Sequence, residues 1–327
     1  MVAACGEESS TPPLDVRPPF LGGTTDAIEP LPAAPPRTAK VDLGERLFCD
    51  PGLSADGEVS CASCHRYELA LTDGKAKAQG AGRVQHAYNA PTLFNAALCP
   101  TYNWTGRFTS LEAQHDALMK NPAAMKSSWD AAVRYLHGAP GYRDAFADVY
   151  QGSHACGASD EIVCEATVRD ALVAFEQSLV TPDSPFDRFL RGDASALSAP
   201  AREGWALFKS AGCISCHQGP LVGGNMFQKL GVMRDYFAER GDVREADKGR
   251  FAVTGRDEDL YVFRVPSLRN VAATAPFFHD GTQAELEDAV QAMGRYQLGR
   301  ELSDDDTARL VAFLRSLSGT FRGRQLP

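Results

Sequence analysis

The sequence CASCH at residues 61–65 returns as CISCH at residues 213–217, and this pair of motifs decides the fold. Three kinds of site use Cys-x-x-Cys: a dithiol exchange site, a zinc site and an attachment site for a c-type haem. A dithiol site would leave the histidine incidental. A zinc site needs four clustered ligands, although a Cys₂His set in each half is conceivable. Covalent haem attachment accounts for all five positions of both motifs.

In the haem interpretation, the two thiols of each motif add to the vinyl groups of a haem, and the adjacent histidine binds the iron as its proximal ligand. The predicted attachment residues are Cys61, Cys64 and His65 in the first motif, and Cys213, Cys216 and His217 in the second. A sixth ligand decides whether such a haem transfers electrons or performs chemistry. In the second half, Met293 offers a thioether in a predicted loop 76 residues after His217. The alternative is an ordinary methionine of the hydrophobic core.

The segments around the two motifs repeat each other, which indicates an internal duplication. GERLFCDPGLSADGEVSCASCH parallels GWALFKSAGCISCH, and KVDLGERLF predicts a short helix before the first motif. Amphipathic helices are predicted at 168–180 and 305–319, and residues 181–200 form the joint between the halves. Few runs alternate like strands. The predicted fold is therefore mainly α, with domains at 39–190 and 191–327 and a flexible tether at 1–38.

Composition narrows the possible partners and the cellular compartment. The net charge is −9, with no Lys/Arg cluster, which argues against a nucleic-acid partner. No apolar run approaches 18 residues, so no membrane span is predicted. MVAACGEESSTPP resembles the cleavage region of a bacterial lipoprotein signal, with Cys5 as the acylated residue and a polar, Pro-rich tether after it. The alternative is an ordinary cysteine near the N-terminus.

The cysteines outside the motifs suggest an oxidising compartment. Cys156 and Cys164 close a short loop, which predicts a local disulfide. A Cys49–Cys99 bridge is possible by elimination, although connectivity does not follow from sequence alone.

Several uncommon strings within residues 39–320 resemble the bacterial di-haem cytochrome c peroxidases, a family that includes the MauG-type enzymes. These strings are LFCDPGLSADGEVSCASCH, NAPTLFNAA and NWTGRFTSLEAQ in the first half, and YVFRVPSLRNVAATAPFFHDGTQAELEDAVQAMGRYQLGREL in the second. The resemblance implies two cytochrome-c-like domains, each with one covalent haem. The second haem would be the electron-transfer centre, with Met293 as its sixth ligand, and the first would be the peroxide site.

The resemblance also implies roles for residues at the domain interface. Trp104 matches a tryptophan between the two haems. A calcium ion would be held by the side chain of Asn89 and by the backbone carbonyls of Thr274 and Pro276, with waters completing an oxygen shell. From the residues alone, Trp104 would be a buried aromatic and Asn89 a turn residue. His279 is expected to support this interface or a haem propionate.

The first half departs from the family pattern at the position that handles protons. Peroxide cleavage needs an acid–base group, and the family has a glutamate where this chain has Ala124. His115, directly after Gln114, and His86 are the candidate replacements, although Ala81 rather than His86 is in register with the family's removable distal histidine. A hydrogen-bonded surface or loop histidine is the alternative at both positions.

Three functions follow from this pattern. The first is a periplasmic oxidoreductase that reduces hydrogen peroxide with electrons from a small cytochrome c or a cupredoxin. The second is an electron-transfer or haem-sensing protein that has lost peroxidase chemistry, which Ala124 favours. The third is MauG-like oxidation of a partner protein, against which Met293 argues because that branch has tyrosine there. A homodimer is the family's expected assembly.

Overall fold

The computed structural model describes residues 28–157 and 161–326, which are mainly helical. The α-helices are α1 Ala39–Phe48, α2 Cys61–Cys64, α3 Leu111–Lys120, α4 Trp129–Gly138, α5 Tyr142–Tyr150, α6 Glu165–Gln177, α7 Pro185–Leu190, α8 Ala199–Ser210, α9 Tyr236–Arg240, α10 Phe251–Thr254, α11 Leu286–Ala292 and α12 Asp304–Arg315. Short 3₁₀ turns lie at Pro51–Leu53, Tyr67–Leu69, Ala81–Arg83, Ala96–Leu98, Ala194–Ala196, Cys213–Ser215, Glu245–Lys248, Asp257–Asp259 and Val271–Ala273. The predicted mainly α architecture is confirmed.

Strand structure within the described residues is confined to two short antiparallel ribbons. β1 Phe227–Lys229 pairs with β2 Val262–Arg264, and β3 Thr320–Phe321 pairs with β4 Arg324–Gln325. In β1–β2, Gln228 lies opposite Phe263. The long helices begin at polar caps, as the sequence pattern expects: the hydroxyls of Thr38, Ser198 and Ser303 each accept a backbone N–H from the first turn of α1, α8 and α12.

The duplication predicted from sequence appears as two equivalent helix crossings. α1 packs against α6 in the first half, and α8 packs against α12 in the second. A glycine lies at each crossing: a Cβ on Gly44 would lie 2.0 Å from the backbone oxygen of Ala171, and one on Gly204 would lie 1.9 Å from that of Arg309. The backbones therefore approach so closely that only glycine fits.

An aromatic pair completes each crossing. The rings of Phe48 and Phe175 lie 5.0 Å apart in the first half, and those of Phe208 and Phe313 lie 5.0 Å apart in the second. These pairs lie at the centres of two separate hydrophobic cores. LVAFEQSL at 172–179 therefore aligns in register with LVAFLRSL at 310–317.

Both ends of the described chain cross to the opposite domain. Ile28 is 2% exposed and packs into the core of the second half, so the predicted tether at 1–38 is packed at its end rather than free. The backbone N–H of Leu31 donates to Asp187 at 3.0 Å. The β3–β4 ribbon packs on the first half instead, where Phe321 stacks on Tyr67 with ring centroids 6.1 Å apart. Residues 1–27 of the tether, with Cys5, lie outside the described residues.

The predicted joint at 181–200 carries helix α7 rather than a loop. Phe186 in α7 is fully buried in the second core, in edge contact with Trp205. Beside it, Asp187 and Arg269 form an ion pair of 2.8 Å in which both side chains are completely buried. Arg269 also donates to the backbone oxygen of Glu29 at 3.0 Å. This arginine therefore connects α7 to the N-terminal segment and to the second half.

One disulfide prediction is confirmed and the other is wrong. Cys156 and Cys164 form a disulfide at the start of α6. Cys49 and Cys99 are free thiols in different surroundings: Cys49 is exposed at the end of α1, and Cys99 is buried against Leu31 and Leu221. Elimination failed because it assumed that every cysteine outside the motifs is paired.

Candidate haem and peroxide site

A cavity of about 520 Å³ occupies the second half and has the residue set of a haem site. The turn after α8 brings Cys213, Cys216 and His217 to its wall, and α11 brings Met293. Met293 begins a π-helical turn, Met293–Gln297, that continues α11, so the prediction of a loop at this position was wrong. The cavity unites the predicted attachment residues with the predicted sixth ligand.

Both motif histidines are arranged to bind iron through Nε2. His65 Nδ1 lies 2.9 Å from the carbonyl oxygen of Leu71, and His217 Nδ1 lies 3.3 Å from that of Val222. A carbonyl only accepts hydrogen bonds, so each Nδ1 carries the proton and each Nε2 has a free lone pair. Burial lowers the pKa of both imidazoles, to about 4 for His217, which keeps the rings neutral and able to bind a metal.

The four motif cysteines also fit covalent haem attachment. All four are free thiols, so each motif can form the two thioether bonds of a c-type haem. Burial raises the pKa of the Cys213 thiol, and it raises that of Cys61 to about 12, with a further contribution from Glu176. With the histidine tautomers in both halves and the cavity in the second, the donor set fits a c-type haem.

Trp104 links the two halves of the molecule. It belongs to the first half and yet lines the second-half cavity. Its Nε1 donates to the backbone oxygen of Asn89 at 2.9 Å, and its own backbone oxygen accepts from the N–H of Arg264 at 2.9 Å. His279 lies on the other side, where its backbone oxygen accepts from the N–H of Asn89 at 2.8 Å. The indole is therefore bound within its own half, and the backbone of Trp104 is bound from the second half.

The three residues of the predicted calcium site lie around the same cavity. Asn89, Thr274 and Pro276 all line it. Asn89 is 6% exposed, and its Nδ2 donates to the backbone oxygen of Lys75 at 2.8 Å, which leaves the amide oxygen for another partner. Asparagine and carbonyl oxygens are ligands that suit Ca²⁺. All three residues therefore line one cavity, and the calcium site stays a prediction.

A cluster of two aspartates and a histidine in the second half is neutralised by an arginine. Asp247, His279 and Asp280 have ligand atoms within 4.8 Å of one another, and all three are buried. Arg240 forms ion pairs with both aspartates, at 2.8 Å to Asp280, and His279 Nε2 lies 2.7 Å from Asp247. Although burial raises it, the pKa of Asp247 is lowered to about 2, chiefly by Arg240. The guanidinium therefore supplies the positive charge that this cluster needs.

In the first half, Ala81 and Ala124 lie next to each other, at the positions matched to the family's distal histidine and glutamate. The N–H of Ala81 donates to the carbonyl oxygen of Ala124 at 2.8 Å. A Cβ on Gly80 would lie 2.1 Å from the backbone oxygen of Ala123, so the two loops are in close contact. Cys64 Sγ lies 3.6 Å from the backbone oxygen of Gln79 in the same loop. Both positions therefore flank the first haem-attachment motif, and neither carries a side chain that can hold a proton.

His115, by contrast, is a buried residue with a charged partner. It lies on α3, is 8% exposed, and its Nε2 is 2.8 Å from Oε1 of Glu176 on α6. Burial lowers the pKa of His115, but the charge and hydrogen bond of Glu176 more than offset this and raise it above its ordinary value. The alternative of a surface or loop histidine is therefore excluded for His115. Gln114 precedes it, half-buried on the same helix.

Glu176, the partner of His115, is a residue that the sequence analysis missed. Its signal is present in the duplication, because Glu176 matches Leu314 in the aligned helices α6 and α12. Leu314 lines the second-half cavity. The charge of Glu176 also acts on Cys61 and His65. Glu176 therefore lies near the first attachment motif, where the other half has an apolar side chain.

His86 lies in the loop beside Ala81 and is half-buried. Its Nδ1 accepts the backbone N–H of Tyr88 at 3.3 Å, so the neutral ring carries its proton on Nε2. An imidazole in this tautomer has no free lone pair on Nε2 for a metal. Burial lowers the pKa of His86. In this conformation His86 is near the first motif but is not arranged as an iron ligand.

Comparison with known proteins agrees with this geometry. Residues 38–195 match the family model for di-haem cytochrome c peroxidase, and residues 201–318 match that for cytochrome c. Two cytochrome c domains imply two haem c groups. None of the helices in residues 28–157 and 161–326 combines the length and apolar character needed to cross a membrane.

The similar proteins are peroxidases and MauG proteins. The chain is 40% identical to the cytochrome c551 peroxidase of Nitrosomonas europaea over 92% of this chain and 87% of that one. It is 34% identical to the methylamine utilization protein MauG of Methylorubrum extorquens, over 91% and 84% of the two chains. A crystal structure of a MauG-like protein associated with microbial copper homeostasis superposes with a TM-score of 0.75 and 27% identity, covering 92% of this chain and 94% of that one. The predicted family and oxidoreductase class are confirmed: this chain belongs to the di-haem cytochrome c peroxidase and MauG family.

Proposed function

We propose that this protein reduces hydrogen peroxide to water with two electrons from a small cytochrome c or a cupredoxin. The balanced reaction is H₂O₂ + 2 H⁺ + 2 e⁻ → 2 H₂O. The observation that carries the proposal is the pairing of His217 and Met293 across one cavity, because His/Met ligation gives a high-potential centre suited to receiving electrons. When bound, the two haems supply the centres for electron entry and for peroxide.

The protein's own residues would hold these centres in working positions. The Leu71 and Val222 carbonyls fix the tautomers of His65 and His217. Trp104, anchored from both domains, provides an aromatic group between the halves. We further propose that Asn89, with the carbonyls of Thr274 and Pro276, binds a calcium ion that stabilises this interface.

The test is an anaerobic mixing experiment on the holoprotein with the high-potential haem alone reduced. Stoichiometric H₂O₂ is added, and haem absorption and peroxide concentration are followed together. Rapid reoxidation with peroxide consumption is the expected result. An unchanged spectrum in every state of reduction would refute the proposal. Calcium is tested in parallel by chelation of the wild type and of Asn89→Ala; the variant should need at least tenfold more Ca²⁺ for the same rate.

An electron-transfer or sensor function is the second candidate, and the alanines at positions 81 and 124 favour it. It predicts a protein that exchanges electrons with a small cytochrome c but leaves peroxide intact. MauG-like oxidation of a partner protein is disfavoured by Met293, which occupies the position of that branch's tyrosine. A periplasmic location, a lipid anchor through Cys5 and a homodimer are further proposals; mass spectrometry of the N-terminal peptide and light scattering test the last two.

A further inference from the structure

The strongest unexplained feature of the first half is a pair of buried polar atoms that have no partner in the described residues. These are Nδ1 of His115 and Oε1 of Gln114, adjacent on α3. An unpaired buried polar atom is destabilising, so such atoms normally face a water, a ligand or a substrate. His115 has already used Nε2 on Glu176. Its second nitrogen is therefore free for another group.

The loop after α3 places these atoms near the family's proton-handling position. Residues 121–126 fold back on α3, where the N–H of Met125 donates to the Leu118 carbonyl at 3.3 Å. The same loop holds Ala124 against Ala81, beside the attachment motif. His115 therefore comes from the helix that flanks the position of the absent glutamate.

The position of Glu176 in the duplicated helices is the second observation. Its equivalent, Leu314, lines the cavity of the other domain, so the duplication assigns Glu176 to the wall of the first haem site. A leucine at that position would complete an apolar wall, whereas a carboxylate needs a partner because its burial is costly. His115 is that partner at 2.8 Å, with both side chains 9% exposed. The first half therefore holds a buried imidazole–carboxylate pair at the edge of its haem site.

We propose that His115 replaces the absent glutamate as the proton-transfer residue of the first haem site, with Glu176 as its positioning residue. His115 accepts the proton of the bound peroxide oxygen on Nδ1 and returns it to the departing oxygen as the O–O bond breaks. The two electrons come from the external redox protein, and two solvent protons complete two waters. This inference rests on the proposed function, since it assigns a residue to that reaction.

The pH dependence follows from the charges that face His115. Glu176 faces it from α6, and Glu112 and Asp116 lie on its own helix; all three raise its pKa. Arg169 on α6 pairs with Asp116 at 2.7 Å. Only the neutral ring accepts a proton. The rate of proton acceptance should therefore rise with pH through a value above that of a free histidine, and Glu176→Gln should move this rise to lower pH.

Cyanide binding to the holoprotein tests proton transfer without turnover, because HCN must give up its proton to bind as the anion. Stopped-flow absorption measures the binding rate of cyanide and, separately, the rate of peroxide reduction. His115→Gln should lower both by about 10²-fold and abolish the pH-dependent rise, since general acid–base catalysis contributes about 10²–10⁴-fold. His137→Gln is the control, because His137 is an exposed histidine of the same domain with only a long 3.9 Å contact to Glu161.

A second variant distinguishes loss of proton transfer from misfolding of His115→Gln. His115→Gln/Ala124→Glu places a carboxylate at the position that the family uses, and it should recover at least tenfold of the lost rate. His86→Gln should leave both rates within about twofold.

The outcomes separate the inference from the proposed function. If the wild type reduces peroxide and His115→Gln does so equally well, or if His86→Gln causes the loss instead, the inference is overturned and the function stands. If peroxide is not reduced but cyanide binding falls as expected in His115→Gln, the proposed function fails, and only proton acceptance by His115 at the first haem site stands. If the wild type binds neither ligand in any state of reduction, both are overturned.

Discussion

The close approach of the helices at the two crossings, α1–α6 and α8–α12, can be tested quantitatively. An added methyl group at Gly44 or Gly204 would lie 2.0 or 1.9 Å from a backbone oxygen of the facing helix, whereas ordinary contact begins at 3.4 Å. The helices would have to separate by about 1.5 Å at each site to admit it. The obstacle is backbone rather than a flexible side chain, so no rotamer change relieves the clash. Gly44→Ala and Gly204→Ala should each destabilise their own domain.

The magnitude follows from two opposing terms. Overpacking of a tight core costs about 1–3 kcal/mol, and the absence of any relief places these sites at the upper end. Alanine gains about 1 kcal/mol over glycine inside a helix. The free energy of unfolding should therefore fall by about 2 kcal/mol. Separation of the helices also weakens the Phe48–Phe175 or Phe208–Phe313 pair, which lies one turn from the glycine.

Urea unfolding of the holoprotein, followed by far-ultraviolet circular dichroism and haem absorption, measures this loss. Gly138→Ala is the matched control, because Gly138 ends α4 and no atom lies within 4 Å of an added Cβ. It should be neutral or stabilising by up to about 1 kcal/mol. If Gly44→Ala and Gly204→Ala unfold within about 0.5 kcal/mol of the wild type, the crossings are not as close as the structure places them.

Three further perturbations test the other elements. Met293→His should lower the potential of the second haem by on the order of a tenth of a volt, measured by redox titration, since axial ligands span about 0.8 V; an unchanged potential would mean that Met293 is not the ligand. Arg269→Met should destabilise the protein by about 3–5 kcal/mol in urea because it leaves buried Asp187 unpaired, and adding Asp187→Asn should recover much of the loss. Although burial acts in the opposite direction, Arg322 and its neighbours lower the pKa of the Glu45 carboxyl to about 2. The stability that Glu45 contributes is therefore present above its unfolded pKa and lost as pH falls from about 4.5 to 2. Thermal unfolding should show that decline, by about 1 kcal/mol, in the wild type and not in Glu45→Gln.

Much of the fold could be read from the sequence because its signals are local. The Cys-x-x-Cys-His motifs and the amphipathic periods of α6 and α12 depend on residues within a few turns of each other. The crossed ends could not be predicted. Whether Ile28 packs on one domain or the other depends on surfaces formed by distant parts of the chain, and a Pro-rich composition alone indicates an extended segment.

The candidate site divides in the same way. The haem-attachment residues follow from chemistry that requires a fixed spacing, and the structure brings Met293 and His217 to one cavity. His115 was recognisable as an unusual residue, but its burial and its partner were not. Glu176 lies 61 positions away in sequence, and only the packing of α3 on α6 makes the pair. The signal that sequence alone offered was Leu314, the apolar residue at the equivalent position.

The difference between Glu176 and Leu314 bears on why two similar domains would carry different chemistry. Both halves use a glycine crossing and a phenylalanine pair to place a motif histidine, so the frame cannot distinguish them. In the second half, Leu314 and Met293 keep the cavity wall apolar, which favours electron transfer without proton exchange. In the first half, Glu176 brings a buried charge that must be balanced, and His115 balances it. A leucine side chain has no group that can accept or return a proton, whereas the imidazole of His115 has one. Under the proposal that His115 transfers protons, the two domains differ in chemistry through their side chains, on a backbone arrangement common to both.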